Sequence, residues 1–204
     1  MLSPAEREQL TLAMLIDVLS ALRKAERIHS VTVVSADKGV RRICKRLGAS
    51  FLWEGKRRGL NRGVKLAVRH VQRRGASSVL VIHSDLPLLK SIEIDLFLKQ
   101  SQGCSVALTP SKDRDGTNAL LMRPPQVIRP VFGKDSFRKH LSLAKHKKVR
   151  CKVFRFNGIG FDVDKPRDLV VLRRRPLRNE TGRVLRAFRK PVGGAPKDTQ
   201  GKRI

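Results

Sequence analysis

Tyrosine is missing from this chain, and aromatic residues of all kinds make up only 4% of its 204 residues. Few side chains can therefore serve as stacking platforms for unpaired bases, which counts against a dedicated single-strand binder. Helix-turn-helix and zinc-finger spacings are missing too. Cysteine is scarce. Cys44, Cys104 and Cys151 stand far apart with no CxxC pair, an arrangement that argues against a disulfide framework or a zinc site and fits free thiols in a reducing cytoplasm. No apolar run reaches membrane-spanning length and no signal peptide precedes the first helical pattern, so the expectation is a cytoplasmic protein without a membrane partner.

Acidic residues are few: 17 Asp and Glu against 45 Lys and Arg, a net charge of +28. Residues 173–204 hold 11 of the cations and 2 of the acids, a net of +9, and the rest of the chain keeps +19. Such a field attracts polyanions and supports non-specific nucleic-acid association through a basic tail. Pro, Gly and like charges dominate that tail, so residues 173–204 are expected to be mostly disordered, with a helical turn at most over 183–189 and little packing after residue 175. The length before it, 1–172, is enough for one domain with its own core.

The remaining pattern is α/β. Ser3-Pro4-Ala5-Glu6 reads as a capping box with proline at the first helical position, and a helix to about residue 27 follows. Its apolar stripe of Leu10, Met14, Val18, Ala21 and Leu22, widened by Leu12, Leu15, Ile16 and Leu19, predicts cover on more than one side. Strands are predicted at 31–35, 50–53, 78–83, 104–109, 118–122 and 150–154. Helices are predicted from Asp37 to 47, from about 62 to 74, at 91–100, to about 146, and at 165–173 with Asp164 as cap. Strand–helix alternation through residue 100 means a mainly parallel sheet, to which the second half adds an antiparallel element. The chain starts at a helix cap, with no opening strand or Gly/Lys/Arg phosphate loop ahead of it.

Three segments place an acidic residue in a turn after or before an apolar run: Ser84-Asp85-Leu86-Pro87, Asp113-Arg114-Asp115-Gly116-Thr117-Asn118, and Phe161-Asp162-Val163-Asp164-Lys165-Pro166. A carboxylate at the C-terminal edge of such a sheet lies where open α/β folds bind ligands. Asp85 with Asp162 and Asp164 could share one hard divalent cation such as Mg²⁺ together with phosphate oxygens. The plainer readings are a turn carboxylate for Asp85 and a helix cap for Asp164; Asp162 has no capping task. His83 reads as a core or edge histidine, and His140 as part of a solvated basic face.

These segments, with Leu2-Ser3-Pro4-Ala5-Glu6-Arg7, Gly59-Leu60-Asn61 and Phe132-Gly133-Lys134-Asp135-Ser136-Phe137-Arg138-Lys139-His140, resemble in order the 2-phospho-L-lactate / phosphoenolpyruvate guanylyltransferases of deazaflavin coenzyme (F-420) biosynthesis, over about residues 2–172. The resemblance implies a Rossmann-like nucleotidyltransferase with a mixed, mainly parallel sheet. It implies that GTP reacts with phosphoenolpyruvate, 2-phospholactate or in some members 3-phosphoglycerate, releasing pyrophosphate. Asp85, Asp162 and Asp164 would hold Mg²⁺. Thr117, Gly133 and Ser136 would grip the acceptor, and Gly59 and Asn61 would border the guanine. Bland alternatives remain for each: turn hydroxyls for Thr117 and Ser136, a tight turn for Gly133, a helix cap for Asn61. The family has a strand and phosphate loop before its first helix, so a gap is expected beside the strands at 31–35 and 78–83. An inactive remnant, or a basic nucleic-acid-associated protein on the same scaffold, is the alternative reading. A homodimer is compatible with the sequence.

Overall fold

The computed structural model describes residues 2–55 and 59–188. Helix α1 (Pro4–Lys24) opens as its sequence dictates: Ser3 Oγ accepts from Glu6 N at 3.2 Å, and Glu6 Oε2 accepts from Ser3 N at 2.7 Å. Then follow β1 (Thr32–Ser35), α2 (Lys38–Arg46), β2 (Ser50–Trp53), α3 (Leu60–Arg73), β3 (Val79–Ile82) and α4 (Ser91–Gln100). The second half contributes β4 (Val106–Pro110), β5 (Thr117–Met122), α5 (Ser136–His146), β6 (Cys151–Val153), α6 (Pro166–Arg173) and α7 (Glu180–Ala187).

Among the described residues the strands form two sheets. β1 and β2 pair in parallel. The other sheet runs β3-β5-β4-β6, with β5 antiparallel to both neighbours and β6 parallel to β4. Strand β5 is thus the antiparallel element, inserted at the centre. Every residue of β4 and β5 is buried, including the polar Thr109, Thr117 and Asn118. One core lies between α1, α4 and the sheets, anchored by Leu19, Leu22, Phe97 and Leu121. A second lies under α3 and α5, with Val68, Leu120, Met122 and Ala144.

No ladder joins β1 to β3. Between these two strands runs a seam, walled by Leu15 and Leu19 of α1, Val64 and Val68 of α3, and the strands themselves. It is one end of a cavity of about 1670 Å³ whose other end is polar.

The expected tail is corrected here. Residues 176–188 are not loose: α7 lies along α1, and Val184 and Leu185 are buried. Leu185 joins Leu10, Met14 and Leu172 in a third apolar cluster. Asn179 caps α7 through Gly182 N at 2.9 Å, and Asp17 of α1 accepts from Glu180 N and Thr181 N, both at 2.9 Å. This explains the wide stripe on α1, which faces the main core with Leu15, Val18 and Leu19 and faces α6 and α7 with Leu10 and Met14. The ordered unit therefore extends past residue 172. Residues 189–204 lie outside the described residues.

Candidate active site

The loops at the polar end of the cavity are held together by backbone bonds. Asp85 lies three residues beyond the end of β3, and its carbonyl accepts from Val163 N at 3.2 Å. That bond sets the 162–164 segment beside Asp85. Asn118 of β5 tightens the same joint: its side chain donates to Ile159 O at 3.0 Å, while its carbonyl accepts from His83 N at 3.1 Å. Gly158 lets the segment approach Leu88 and the first turn of α4, since an added Cβ would collide with Leu88 O and Glu93 Oε2.

Three carboxylates converge there. Oδ1 of Asp85 and Oδ1 of Asp162 are buried without a hydrogen-bond partner. Burial raises the Asp85 carboxyl above its ordinary range, and the charge of Asp162 pushes the same way. Asp164 is raised to about 6, first by burial, then by a hydrogen bond with Asp162 and by the charges of Asp162 and Asp85. Buried carboxylates that crowd one another raise one another's pKa values. Among the described residues His83 Nδ1 lies 4.0 Å from Asp85 Oδ1, and Lys112 is also close, but its Nζ is bound to Asp162 O at 2.8 Å and to the Asp168 carboxylate at 2.7 Å. Among the described residues no group of three or more His, Cys, Asp or Glu side chains is placed to hold a metal ion by itself. An ion shared with substrate phosphates needs only one or two protein carboxylates.

The cap reading of Asp164 is corrected. Lys165 is the N-cap of α6, and Asp168 Oδ2 accepts from Lys165 N at 2.7 Å and Asp164 N at 3.1 Å. Asp164 is left free of capping duty, which sequence position alone could not reveal.

Thr117, Gly133 and Ser136 come from separate loops and line the same cavity as the three carboxylates. Asp115 brings them together: its carbonyl accepts from Phe137 N at 3.2 Å and its Oδ1 from Asp135 N at 3.1 Å. Gly133 has φ +105, so its tight-turn role is real. Ser136 is 1% exposed, and its Oγ has no partner. A buried hydroxyl in a cavity wall can hydrogen-bond a ligand or water.

Gly59 and Asn61 are not brought to that wall. Gly59, at φ +86, is the N-cap of α3. Both ends of the Asn61 amide are used by the Phe132 backbone: Nδ2 donates to Phe132 O at 2.9 Å, and Oδ1 accepts from Phe132 N at 2.7 Å. Asn61 is thus a tether between α3 and the 132–136 loop rather than a helix cap. His140 is also corrected: it is fully buried, not on a solvated face. Sequence reasoning passed over Lys112 and Asn118 and misplaced His140 because their partners are remote in the chain.

A family model described as "Guanylyl transferase CofC like" matches residues 1–191. The chain belongs to that family. It is 38% identical over 169 residues to a phosphoenolpyruvate guanylyltransferase of Sphaerobacter thermophilus, covering 82% of this chain and 81% of the relative. It is 30% identical over 188 residues to a 2-phospho-L-lactate guanylyltransferase of Methanobrevibacter smithii, covering 92% and 82%. In fold it is similar to a solved structure from Desulfovibrio desulfuricans G20 described as a nucleotide-diphospho-sugar transferase, with TM-score 0.69, 19% identity, and 90% and 83% coverage. As a CofC-like guanylyl transferase the chain is a nucleotidyltransferase, and the mixed α/β sheet described above agrees with that fold. The family match includes α7, in keeping with its packing on α1.

Proposed function

We propose that this chain joins GMP from GTP to a three-carbon phosphate acid, phosphoenolpyruvate or 2-phospho-L-lactate, releasing pyrophosphate, as a step in deazaflavin coenzyme biosynthesis. The observation that carries this reading is the meeting, in one cavity, of the crowded carboxylates Asp85, Asp162 and Asp164 with the buried hydroxyls of Thr117 and Ser136. In the reaction an oxygen of the acceptor phosphate attacks the α-phosphorus. The bond to the β-phosphate oxygen breaks, and its electron pair leaves with pyrophosphate. The attacking phosphate is already ionised at neutral pH, so no general base is needed, and catalysis reduces to positioning and charge neutralisation.

The unpartnered oxygens of Asp85 and Asp162 and the raised carboxyl of Asp164 fit a divalent cation, and Mg²⁺ suits an all-oxygen donor set. When bound, that ion would neutralise charge on the phosphates. Thr117 and Ser136 would orient the acceptor's anionic groups, with Gly133 letting the chain turn close by. Lys134, on the same wall, adds positive potential.

The test is direct. Purified protein is mixed with GTP, Mg²⁺ and each acid in turn, and both pyrophosphate and the mass of the nucleotide product are measured. The expected result is a GMP–acid adduct formed in equal amount to pyrophosphate, abolished by EDTA. Pyrophosphate release without an acid, or no adduct with phosphoenolpyruvate, 2-phospholactate or 3-phosphoglycerate, would overturn the assignment.

A further inference from the structure

The ring of His140 meets two partners with opposite demands. On one side the backbone N–H of Val131 donates to Nε2 at 2.9 Å, so Nε2 carries no proton. On the other, Nδ1 lies 3.0 Å from Thr117 Oγ1. A neutral imidazole has one N–H, and with Nε2 accepting, that proton sits on Nδ1 and is donated to the threonine oxygen. Burial holds the ring neutral by lowering its pKa to about 4, and the charge of His83 acts in the same direction. Thr117 is 1% exposed, and among the described residues its hydroxyl is offered no acceptor. Its own proton is therefore free to point into the cavity that it lines with Ser136.

We propose that His140 is a positioning residue that fixes Thr117 as a hydrogen-bond donor toward the anionic oxygen of the acceptor acid. This rests on the acceptor lying at Thr117 and Ser136, as argued above. An unsupported threonine hydroxyl can rotate and offer either its proton or its lone pairs. One that already accepts from a locked imidazole has its proton left for the ligand, and the entropy of that choice is spent in the folded protein before binding. The sequence carries this as Thr117 and His140, on β5 and α5.

A crossed pair of substitutions separates positioning from mere structure. His140→Gln keeps an oxygen near Nε2 to accept from Val131, and loses the donor to Thr117. His140→Asn keeps an N–H near Nδ1 and loses the acceptor for Val131. The expected result for His140→Gln is a melting temperature close to that of the parent and an acceptor KM raised about 10- to 100-fold, the range for a bond to a charged group, with the KM for GTP unchanged. His140→Asn is expected to melt lower yet keep the acceptor KM within about threefold of the parent, a difference well below that of one such bond. Thr117→Val should raise the same KM, and adding His140→Gln to it should change nothing further.

Multiplicative effects in the double variant, or equal KM changes in the Gln and Asn variants, overturn the positioning role. A Thr117→Val variant with an unchanged acceptor KM sinks the acceptor placement instead, so the two failures are distinct. Nitrogen-15 imidazole shifts of the unsubstituted protein give a reading that needs no variant to fold: Nδ1–H at His140 is expected, and Nε2–H refutes the proposal.

Discussion

Asp162→Asn is expected to lower guanylyl transfer by about a hundred- to a thousandfold while leaving the melting temperature of the metal-free protein unchanged or higher. The carboxylate is 7% exposed, its Oδ1 has no partner, and it faces two others. Removing its charge relieves repulsion in the absence of metal and removes a ligand in its presence. Asp85→Asn should behave alike. The sign of the pH dependence follows from Asp164. Its folded value of about 6 lies above the ordinary carboxyl value of 3.8, so the folded state holds this proton more tightly. That contribution to stability is complete below 3.8 and is lost as pH rises through about 6. A divalent cation competes with the same proton. The gain in melting temperature on adding Mg²⁺ should therefore be larger at pH 8 than at pH 5, and largely gone in the Asp162→Asn variant. An equal gain at both pH values, or parental turnover by the variant, is incompatible with a metal at these carboxylates.

The second large effect concerns α7. Ending the chain after Arg175 should leave no stably folded protein. The deletion would uncover Leu10, Met14 and Leu172, take two N–H donors from the partly buried Asp17, and remove the bond from Asn179 Nδ2 to Pro87 O at 2.8 Å, which reaches the loop after Asp85. The single change Leu185→Ala isolates the packing part. It should cost about 2–5 kcal/mol, measured as the loss of unfolding free energy in urea. A shift below about 1 kcal/mol would mean that the Leu185 site collapses freely or that α7 is not docked in solution.

The two halves of this chain differ in how openly they declare themselves. Strand β2 and helix α4 fall where their residues predict, since a β-branched or aromatic run and an amphipathic stretch are local signals. The cap at Ser3 is equally local. Helix α7 hides in the sequence because it sits in an arginine-rich tail, and its apolar residues Val184 and Leu185 gain meaning only against α1. The same division runs through the site. Asp85 and Asp162 stand out through their turns, whereas Thr117 and Ser136 are singled out only by the family resemblance. What Asn61 and His140 do depends on Phe132, Val131 and Thr117, and no spacing in the sequence encodes those contacts. Asp164 was assigned a cap because it precedes Pro166, whereas Asp168 reaches back to do that work.

The seam between β1 and β3 bears on how the molecule opens. Val31 O and Ser35 O accept from the β2 side, and His83 N donates to β5. With the two-residue alternation of a strand, the amides of Thr32 and Val34 and those of Leu80 and Ile82 then face the seam. In deuterium oxide these four should take up label ahead of Val33 and Val81, giving each strand a protection pattern with a period of two. Opening would begin in the middle of the molecule, between its two sheets, while α1, packed on both sides, still holds the halves together.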